Sequence, residues 1–164
     1  KQNTGIKSPV LSWRRWQLRC YAGQLHLLAP GFLGAQLENN LSWSLSDTHF
    51  QHPWFGELSL LGNNVFAEEV QCAEPRVQWS DLSLAVRARS GGERILDASG
   101  KHLSVKKLLQ AHGIAPWLRE RIPLLFNGEE LWAVGDLRMH PEFIRLCRLA
   151  NCRLSWRAAP TEPK

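Results

Sequence analysis

Residues 100–128 read GKHLSVKKLLQAHGIAPWLRERIPLLFNG and carry the clearest structural signals in the chain. Ser104 precedes a helical pattern that places Leu108 and Leu109 on one face, and its hydroxyl could accept a hydrogen bond from an amide of the first turn. Gly113 follows the pattern, and glycine readily adopts the left-handed conformation that ends a helix. The stretch therefore predicts a short amphipathic helix.

The second half of this stretch predicts a helical turn followed by a β-hairpin. Pro116 can open the turn over residues 117–121 and Pro123 can close it, because proline suits the start of a helix and interrupts its interior. Apolar residues then run on both sides of Asn127 and Gly128, a pair that favours a two-residue type I′ turn. We therefore expect two antiparallel strands here.

Basic side chains surround an aromatic residue in the same segment. Cations interleaved with an aromatic ring suit a phosphate backbone with an exposed base. The alternative is that the cations form a solvated helix face and that the tryptophan belongs to the core. The residues concerned are Lys101, His102, Lys106, Lys107, Arg119, Arg121 and Trp117.

Two further segments predict strands with one apolar and one basic face. Residues 82–89 alternate in this way and run into a glycine-rich turn. Residues 152–157 alternate too, with Arg153 and Arg157 on the basic side. This second stripe is a candidate RNA surface or, equally, a solvated strand face.

A helix is predicted between these two strands, with Pro141 in its first turn and Ala150 at its end. Phe143, Leu146 and Cys147 recur at helical spacing, so they form its apolar face. The cysteine is therefore expected to be a core residue rather than half of a disulfide.

The first part of the chain predicts further strands. Residues 11–21 and 24–28 flank a turn at Ala22 and Gly23, and residues 41–45 alternate apolar side chains with serine. Additional strands are expected at 58–61 and 65–70.

Residues 47–56 are predicted to form a loop. They include His49 and His52, but no cysteine or carboxylate pair stands at ligand spacing, so we expect no metal site. The cysteines are widely spaced and match neither a zinc nor a disulfide pattern, which favours a reduced, cytoplasmic setting. They are Cys20, Cys72, Cys147 and Cys152.

The formal charge of +5 is unevenly distributed along the chain. Residues 1–31 contain five basic and no acidic residues, residues 32–75 six acidic and no basic ones, and residues 76–164 fifteen basic and nine acidic ones. A basic surface favours a polyanion, most commonly nucleic acid. No run approaches the ~20 apolar residues that span a bilayer and no signal peptide is visible, so no membrane partner is expected. The chain begins with lysine, which suggests a fragment of a longer protein.

Four motifs follow one another in the second half of the chain. They are GGER at 91–94, HLSVKKLLQ at 102–110, PWLRERIPLLF at 116–126 and LWAVGDL at 131–137. In this order they resemble the C-terminal domain of bacterial tRNA(Ile)-lysidine synthetase. The resemblance covers residues 82–138 well, and residues 14–28 more weakly resemble the preceding strand-turn-strand segment of that family.

The resemblance implies a non-catalytic, C-terminal piece of an enzyme, the ATP-dependent ligase that attaches lysine to the wobble cytidine of tRNA(Ile). ATP with Mg, and lysine, would bind to an N-terminal domain, so no catalytic, cofactor-binding or metal residue is expected here. Ser90, Gly91 and Gly92 begin like the nucleotide-binding loop of that domain. Glu93 follows where the loop continues to an Asp-Ser pair, so we expect no ATP site at this turn.

In such a protein this chain would recognise tRNA, reaching the acceptor stem. Proteins bind an A-form stem mainly through its shape, phosphates and 2′-hydroxyls, for which lysine and arginine are suited. The predicted set comprises phosphate contacts at Lys106 and Lys107, a backbone grip at Arg119 and Arg121, an extension of the track at Arg87, Arg89 and Arg94, and neighbouring contacts at Lys101, His102 and Trp117.

Two other functions compete with tRNA recognition. The basic face could dock an acidic partner or the protein's own N-terminal catalytic domain, which would make the chain a protein-interaction module. An independent small enzyme is disfavoured, because no P-loop, nucleophile elbow or HExxH motif is present.

The sequence as a whole predicts an α+β fold of mostly antiparallel strands with two or three short helices. Two small units are expected. Residues 1–75 would form a β-rich unit, and residues 76–164 the C-terminal tRNA-binding domain of the lysidine synthetase type.

Overall fold

The fold is α+β, as the sequence predicts, and the residues that the structure describes form antiparallel sheets and two α-helices. The computed structural model describes residues 10–30, 32, 41–62 and 82–160. The chain forms two compact units, Lys1–Gln36 with Pro160–Lys164, and Leu37–Ala159. The predicted boundary at residue 75 lies outside the described residues, and strands from both sides of it share sheets in the second unit. The strand predicted at 65–70 also lies outside them.

The first unit contains an antiparallel meander of β1 (Val10–Trp13), β2 (Trp16–Tyr21) and β3 (Gln24–Leu28), in that order. The turn predicted at Ala22 and Gly23 is confirmed, with φ of 50° and 78°.

The single strand predicted over residues 11–21 is wrong. Arg14 has a φ of 56°, and with Arg15 it forms a tight turn between Trp13 and Trp16, which pair across the hairpin. The two arginines therefore lie in a turn and not on opposite faces of a strand. The sequence does not indicate this turn, because arginine rarely adopts a positive φ and the apolar alternation continues on both sides of Arg14.

The described residues of the second unit form three sheets. The five-stranded sheet has the order β12-β11-β10-β7-β4, and the three-stranded sheet the order β13-β6-β5. A two-stranded ribbon, β8-β9, completes the set. The strands are β4 (Leu41–Ser44), β5 (His49–His52), β6 (Gly56–Gly62), β7 (Ser83–Arg87), β8 (Arg94–Leu96), β9 (His102–Ser104), β10 (Leu124–Asn127), β11 (Glu130–Val134), β12 (Arg138–Met139) and β13 (Cys152–Arg157).

The five-stranded sheet carries a hydrophobic core on each face. Leu125 pairs with Ala133 in the first core, and Leu124 pairs with Val134 in the second. The first core also contains Trp43, Leu84, Val86, Leu58, Leu154 and Phe143, and the second contains Ile95, Val105, Leu108 and Leu109. The sheet is thus the middle layer of this unit.

A β-bulge lets β11 contribute to both cores. Leu125 pairs with Ala133 but Phe126 pairs with Leu131, which leaves Trp132 as the additional residue. Trp132 and Ala133 both join the first core, whereas Leu131 joins the second. All three side chains are therefore buried.

The hairpin of β10 and β11 is confirmed, but its turn lies one residue later than predicted. Asn127 pairs with Glu130, so Gly128 and Glu129 occupy the two turn positions. Gly128 has a φ of 59°, whereas Glu129 is not among the residues with positive φ. A type I′ turn needs positive φ at both positions, so this turn is of a different type.

The helix α1 (Val105–Ala111) ends as the sequence predicts. Gly113 has a φ of 66° and donates to the Gln110 carbonyl, while Ile114 donates to the Leu109 carbonyl, a Schellman arrangement. Ser104 is the N-cap residue, but its hydroxyl makes no capping hydrogen bond, so that detail of the prediction is wrong.

The helix α2 (Pro141–Leu149) has Pro141 in its first turn and buries Phe143, Leu146 and Cys147, as predicted. Its cap was not predicted. His140 is buried, and its Nδ1 accepts a hydrogen bond from the Glu142 amide at 3.1 Å. Histidine is an uncommon N-cap, so this cap could not be predicted from the residue type.

Residues 47–56, predicted as a loop, contain β5. Phe50 packs against the first core, while the flanking His49 and Gln51 are exposed. The strand alternation is present but is carried by a single apolar residue, which makes it hard to detect.

Gly56 offers a test of the packing between β6 and the end of β13. Its φ is 89°, and an added Cβ would collide with the backbone of Arg157 and Ala159. We expect Gly56→Ala to lower the free energy of unfolding by about 3 kcal/mol in urea denaturation. Gly113→Ala, at φ 66° with open space around it, is the matched control and should cost about 1 kcal/mol. Equal losses would show that the close approach at Gly56 is not a constraint.

Candidate nucleic-acid interface

The β8-β9 ribbon leads directly into α1 and carries exposed basic residues. Arg94 pairs with Ser104, and its guanidinium donates to the His102 carbonyl at 3.0 Å. Lys106 and Lys107 lie in the first turn of α1, and both are exposed. Within the described residues neither lysine pairs with a carboxylate. Local chain connectivity thus places these cations in one neighbourhood, which we call the ribbon-helix surface: Arg94, Lys101, His102, Lys106 and Lys107.

The turn of the ribbon is organised by Asp97. Its carboxylate accepts hydrogen bonds from the Ser99 hydroxyl at 2.7 Å, from the Lys101 amide at 2.9 Å and from the Ser99 amide at 2.8 Å. The Ser99 hydroxyl, followed by the Lys101 amide, lowers the pKa of Asp97 below its usual value. The backbone that presents Lys101 and His102 is therefore fixed at its turn.

The glycine-rich turn before β8 is closed by hydrogen bonds to the Glu93 carboxylate. Glu93 accepts hydrogen bonds from the amides of Ser90 and Gly91, the latter at 2.6 Å, and from the Ser90 hydroxyl at 3.2 Å. Burial raises the pKa of Glu93, but these amide bonds outweigh it and the net pKa is lowered. Two of the amides that could cradle a phosphate in such a turn are thus already used.

Arg87 and Arg89 each have an acidic neighbour. The Arg87 guanidinium lies over the Phe126 ring, 4.7 Å from its centroid, and 3.7 Å from the Glu129 carboxylate. The Arg89 Nε lies 3.4 Å from the Glu93 carboxylate, and only 19% of the Arg89 side chain is exposed. Arg87 is the more accessible of the two, with 40% of its side chain exposed.

Phe126 was not predicted as part of the site. It is half-buried on the sheet face that also carries Arg87, because Arg87 and Phe126 lie diagonally across the β7–β10 pairing. The contact between these two side chains depends on the register of β7 and β10, so it could not be predicted from the sequence.

Arg119 and Arg121 are buried, each with 9% of its surface exposed, in a short 3-10 helix (Arg119–Arg121). The Arg119 Nε donates to the Ile114 carbonyl at 2.7 Å. The Arg121 guanidinium stacks over Trp54 at 4.3 Å from the ring centroid, and burial lowers the pKa of Arg121. These contacts favour a role in the fold for both arginines.

Trp117 is also buried, with 7% of its surface exposed. This favours the interpretation in which it belongs to the interior rather than stacking on a terminal base.

A second basic surface lies on the outer face of β13. Arg153 and Arg157 are exposed there, opposite Leu154 of the first core, as the alternation predicts. The Arg157 guanidinium lies 3.8 Å from the Glu57 carboxylate, so part of its charge is balanced.

Neither a metal site nor a catalytic arrangement is found in the described ranges. No group of three or more His, Cys, Asp or Glu residues there could hold a metal ion. His49, Ser59 and Glu57 do meet, but the serine hydroxyl and the carboxylate both approach the same histidine nitrogen, Nδ1, at 3.2 and 3.4 Å. A nucleophile, a base and an orienting acid need two different ring nitrogens. None of the helices described is long and apolar enough to cross a membrane.

Comparison with known proteins finds a matching family for part of the chain. Residues 84–156, from β7 to β13, match the family described as the TilS substrate C-terminal domain. The similarity to that family covers 73 of the chain's 164 residues. The resemblance stated from the motifs is therefore confirmed, and it extends through α2 and β13, beyond the motifs that first indicated it.

Curated relatives are similar along most of the chain. The tRNA(Ile)-lysidine synthase of Methylococcus capsulatus is 30% identical over 162 residues, which is 94% of this chain and 34% of that protein. The synthase of Xanthomonas campestris pv. campestris is 31% identical over 93% of this chain and 32% of its own length, and that of Xylella fastidiosa strain 9a5c is 38% identical over 88% and 30%. The chain thus spans about a third of the length of these relatives.

The hydrogen bonds of Glu93 predict a specific pH dependence. A lowered pKa means that the ionised carboxylate stabilises the fold above about pH 4.5, and that this contribution is lost as the pH falls through the folded-state pKa. We expect Glu93→Gln to cost about 1 kcal/mol at pH 7 and progressively less as the pH falls below 4.5, measured by urea denaturation. Glu129→Gln, whose side chain is 93% exposed, should change little at any pH. A pH-independent difference for Glu93→Gln would contradict the assignment.

The buried arginine over Trp54 predicts a loss of stability rather than of ligand affinity. We expect Arg121→Ala to lower the free energy of unfolding by about 2 kcal/mol, because a desolvated cation–π contact and its packing are lost. Lys107→Ala, at an exposed position, should stay within about 0.5 kcal/mol. Unchanged stability combined with weaker tRNA binding would instead make Arg121 an RNA contact.

Proposed function

We propose that this chain is the C-terminal tRNA-recognition region of a tRNA(Ile)-lysidine synthase, the ligase that attaches lysine to the wobble cytidine of tRNA(Ile) with ATP. The observation that carries the proposal is the coincidence of the family match with the ribbon-helix surface, whose exposed cations all lie within residues 84–156. The relatives are named for this activity.

The chemistry of the ribbon-helix surface suits an RNA backbone. Its cations stand on a ribbon and a helix that pack on the second core through Ile95, Val105 and Leu109, so the charges are held by a rigid support. An A-form stem displays phosphates and 2′-hydroxyls at the surface and hides its base edges in a narrow groove. Exposed lysines and an exposed arginine would therefore bind the acceptor stem by charge and shape, with little reading of base sequence.

The contact set follows from the exposure of each cation. Lys106, Lys107 and Arg94 are the primary phosphate contacts, with Lys101 and His102 beside them. Arg87, over Phe126, extends the track, and Arg89 contributes less because Glu93 neutralises it. Arg119, Arg121 and Trp117 support the surface from the interior.

The remaining parts of the reaction belong to the rest of the synthase in this proposal. ATP with Mg and the lysine substrate would be bound by its N-terminal catalytic domain, and the enzyme would act in the cytoplasm. The chain's contribution is to hold tRNA(Ile) while that domain modifies the anticodon.

A salt titration tests the proposal. The chain is titrated with tRNA(Ile) and with an unrelated tRNA across a range of salt concentrations. We expect Lys106→Glu/Lys107→Glu to weaken both complexes and to reduce the slope of log affinity against log salt by about 2, because each phosphate contact contributes about 0.9 for a duplex.

The matched control is Arg138→Glu/Arg148→Glu, which makes the same change of charge at two exposed positions on β12 and α2. It should leave the slope nearly unchanged. An equal loss from both double variants would indicate a diffuse charge effect. Unchanged tRNA affinity with weakened association of the catalytic domain would support the protein-interaction alternative.

A further inference from the structure

The meander of the first unit has one face made of apolar side chains. The register pairs Leu11 with Leu18 and Leu18 with Leu27, and residues two apart on a strand point to the same face. By the same rule, Trp13, Trp16 and Leu25 lie on this face as well. The face, which we call the apolar face of the meander, consists of Leu11, Trp13, Trp16, Leu18, Leu25 and Leu27, with Cys20 in the same row.

This face is largely open to solvent. Leu11 is 65% exposed, Trp13 67%, Leu25 71% and Leu27 45%. The opposite face carries mostly polar side chains, such as Ser12 and Arg19. A small sheet normally turns its apolar face towards a core, and a contiguous exposed apolar patch marks a surface that is covered by a partner.

The rim of this face has the composition of a protein interface. The Arg14 guanidinium lies over the Trp13 ring, 5.2 Å from its centroid, at the turn between β1 and β2. Tryptophan and arginine are the residue types most enriched at the energetic centres of interfaces. Residues 1–31 contain basic but no acidic residues, so the complementary surface should be apolar with an acidic rim.

We propose that the apolar face of the meander docks the preceding part of the synthase, the portion of about two-thirds of the length that the relatives have and this chain does not span. This inference rests on the proposed function, because it requires residues 1–164 to be the C-terminal region of such a synthase. The meander is the unit nearest in sequence to that portion. A covalently linked partner is held at high effective concentration, so a small apolar face is sufficient to dock it.

Site-specific alkylation tests this docking. A thiol is introduced by Leu25→Cys, on the apolar face, both in the isolated 164-residue chain and in the complete synthase that carries it. The rate of reaction with N-ethylmaleimide at position 25 is followed by peptide mass spectrometry, which distinguishes it from the native cysteines. We expect reaction at least about tenfold slower in the complete synthase, because the buried thiol is inaccessible.

The matched control is Ser12→Cys, at an exposed position on the opposite face. Its rate should agree within about twofold between the two proteins. Equal rates at position 25 overturn the proposal. Protection in the isolated chain that rises with protein concentration identifies a second copy as the partner and also overturns it, as does protection there at every concentration.

A tRNA titration on the same samples separates the two proposals. If position 25 reacts equally fast in both proteins while tRNA binding is intact, only the docking proposal is overturned. A complete synthase that protects position 25 but does not bind tRNA(Ile) overturns the proposed recognition function.

Discussion

The middle strands of the five-stranded sheet are buried on both faces, and the rest of the second unit depends on that constraint. The central residues of β10 and β11 are all apolar, since Leu124 and Leu131 enter one core while Leu125, Trp132 and Ala133 enter the other. One face is closed by α1 and the β8-β9 ribbon, the other by α2 and the three-stranded sheet. Because α1 is held by Leu108 and Leu109, its lysines are turned outwards. The exposure of these lysines therefore follows from the packing of α1 on the second core.

Local signals in the sequence predicted the local structure well. Both α-helices, the β10–β11 hairpin, the strand at β13 and the apolar side of each were predicted, because amphipathic spacing and glycine or proline punctuation act over a few residues. The departures arise where strand pairing, which the apolar pattern does not contain, sets the position of a turn. Trp13 pairs with Trp16 around a turn at Arg14, and Asn127 pairs with Glu130, which places the turn of the β10–β11 hairpin one residue later than predicted.

The basic residues of the candidate site could be found from the sequence but not sorted by role. The run PWLRER contains two arginines, yet both are buried. Arg121 stacks over Trp54, which lies far away in the sequence, and Arg119 donates to the Ile114 carbonyl in the segment that follows α1. The spacing of charged and apolar residues indicates neither contact. By contrast, Lys106 and Lys107 are exposed for a purely local reason, since they occupy the polar side of a helix whose apolar side is fixed.

The occupied turn at Glu93 has a consequence for how any polyanion is held nearby. Because the amides of Ser90 and Gly91 already solvate the carboxylate of this turn, they are not available to hold a phosphate. Under the proposed function, a phosphate near this turn would meet the ends of long side chains, whose attraction varies slowly with position. An RNA bound in this way could shift by one nucleotide with little change in energy, so its register would be fixed by other contacts.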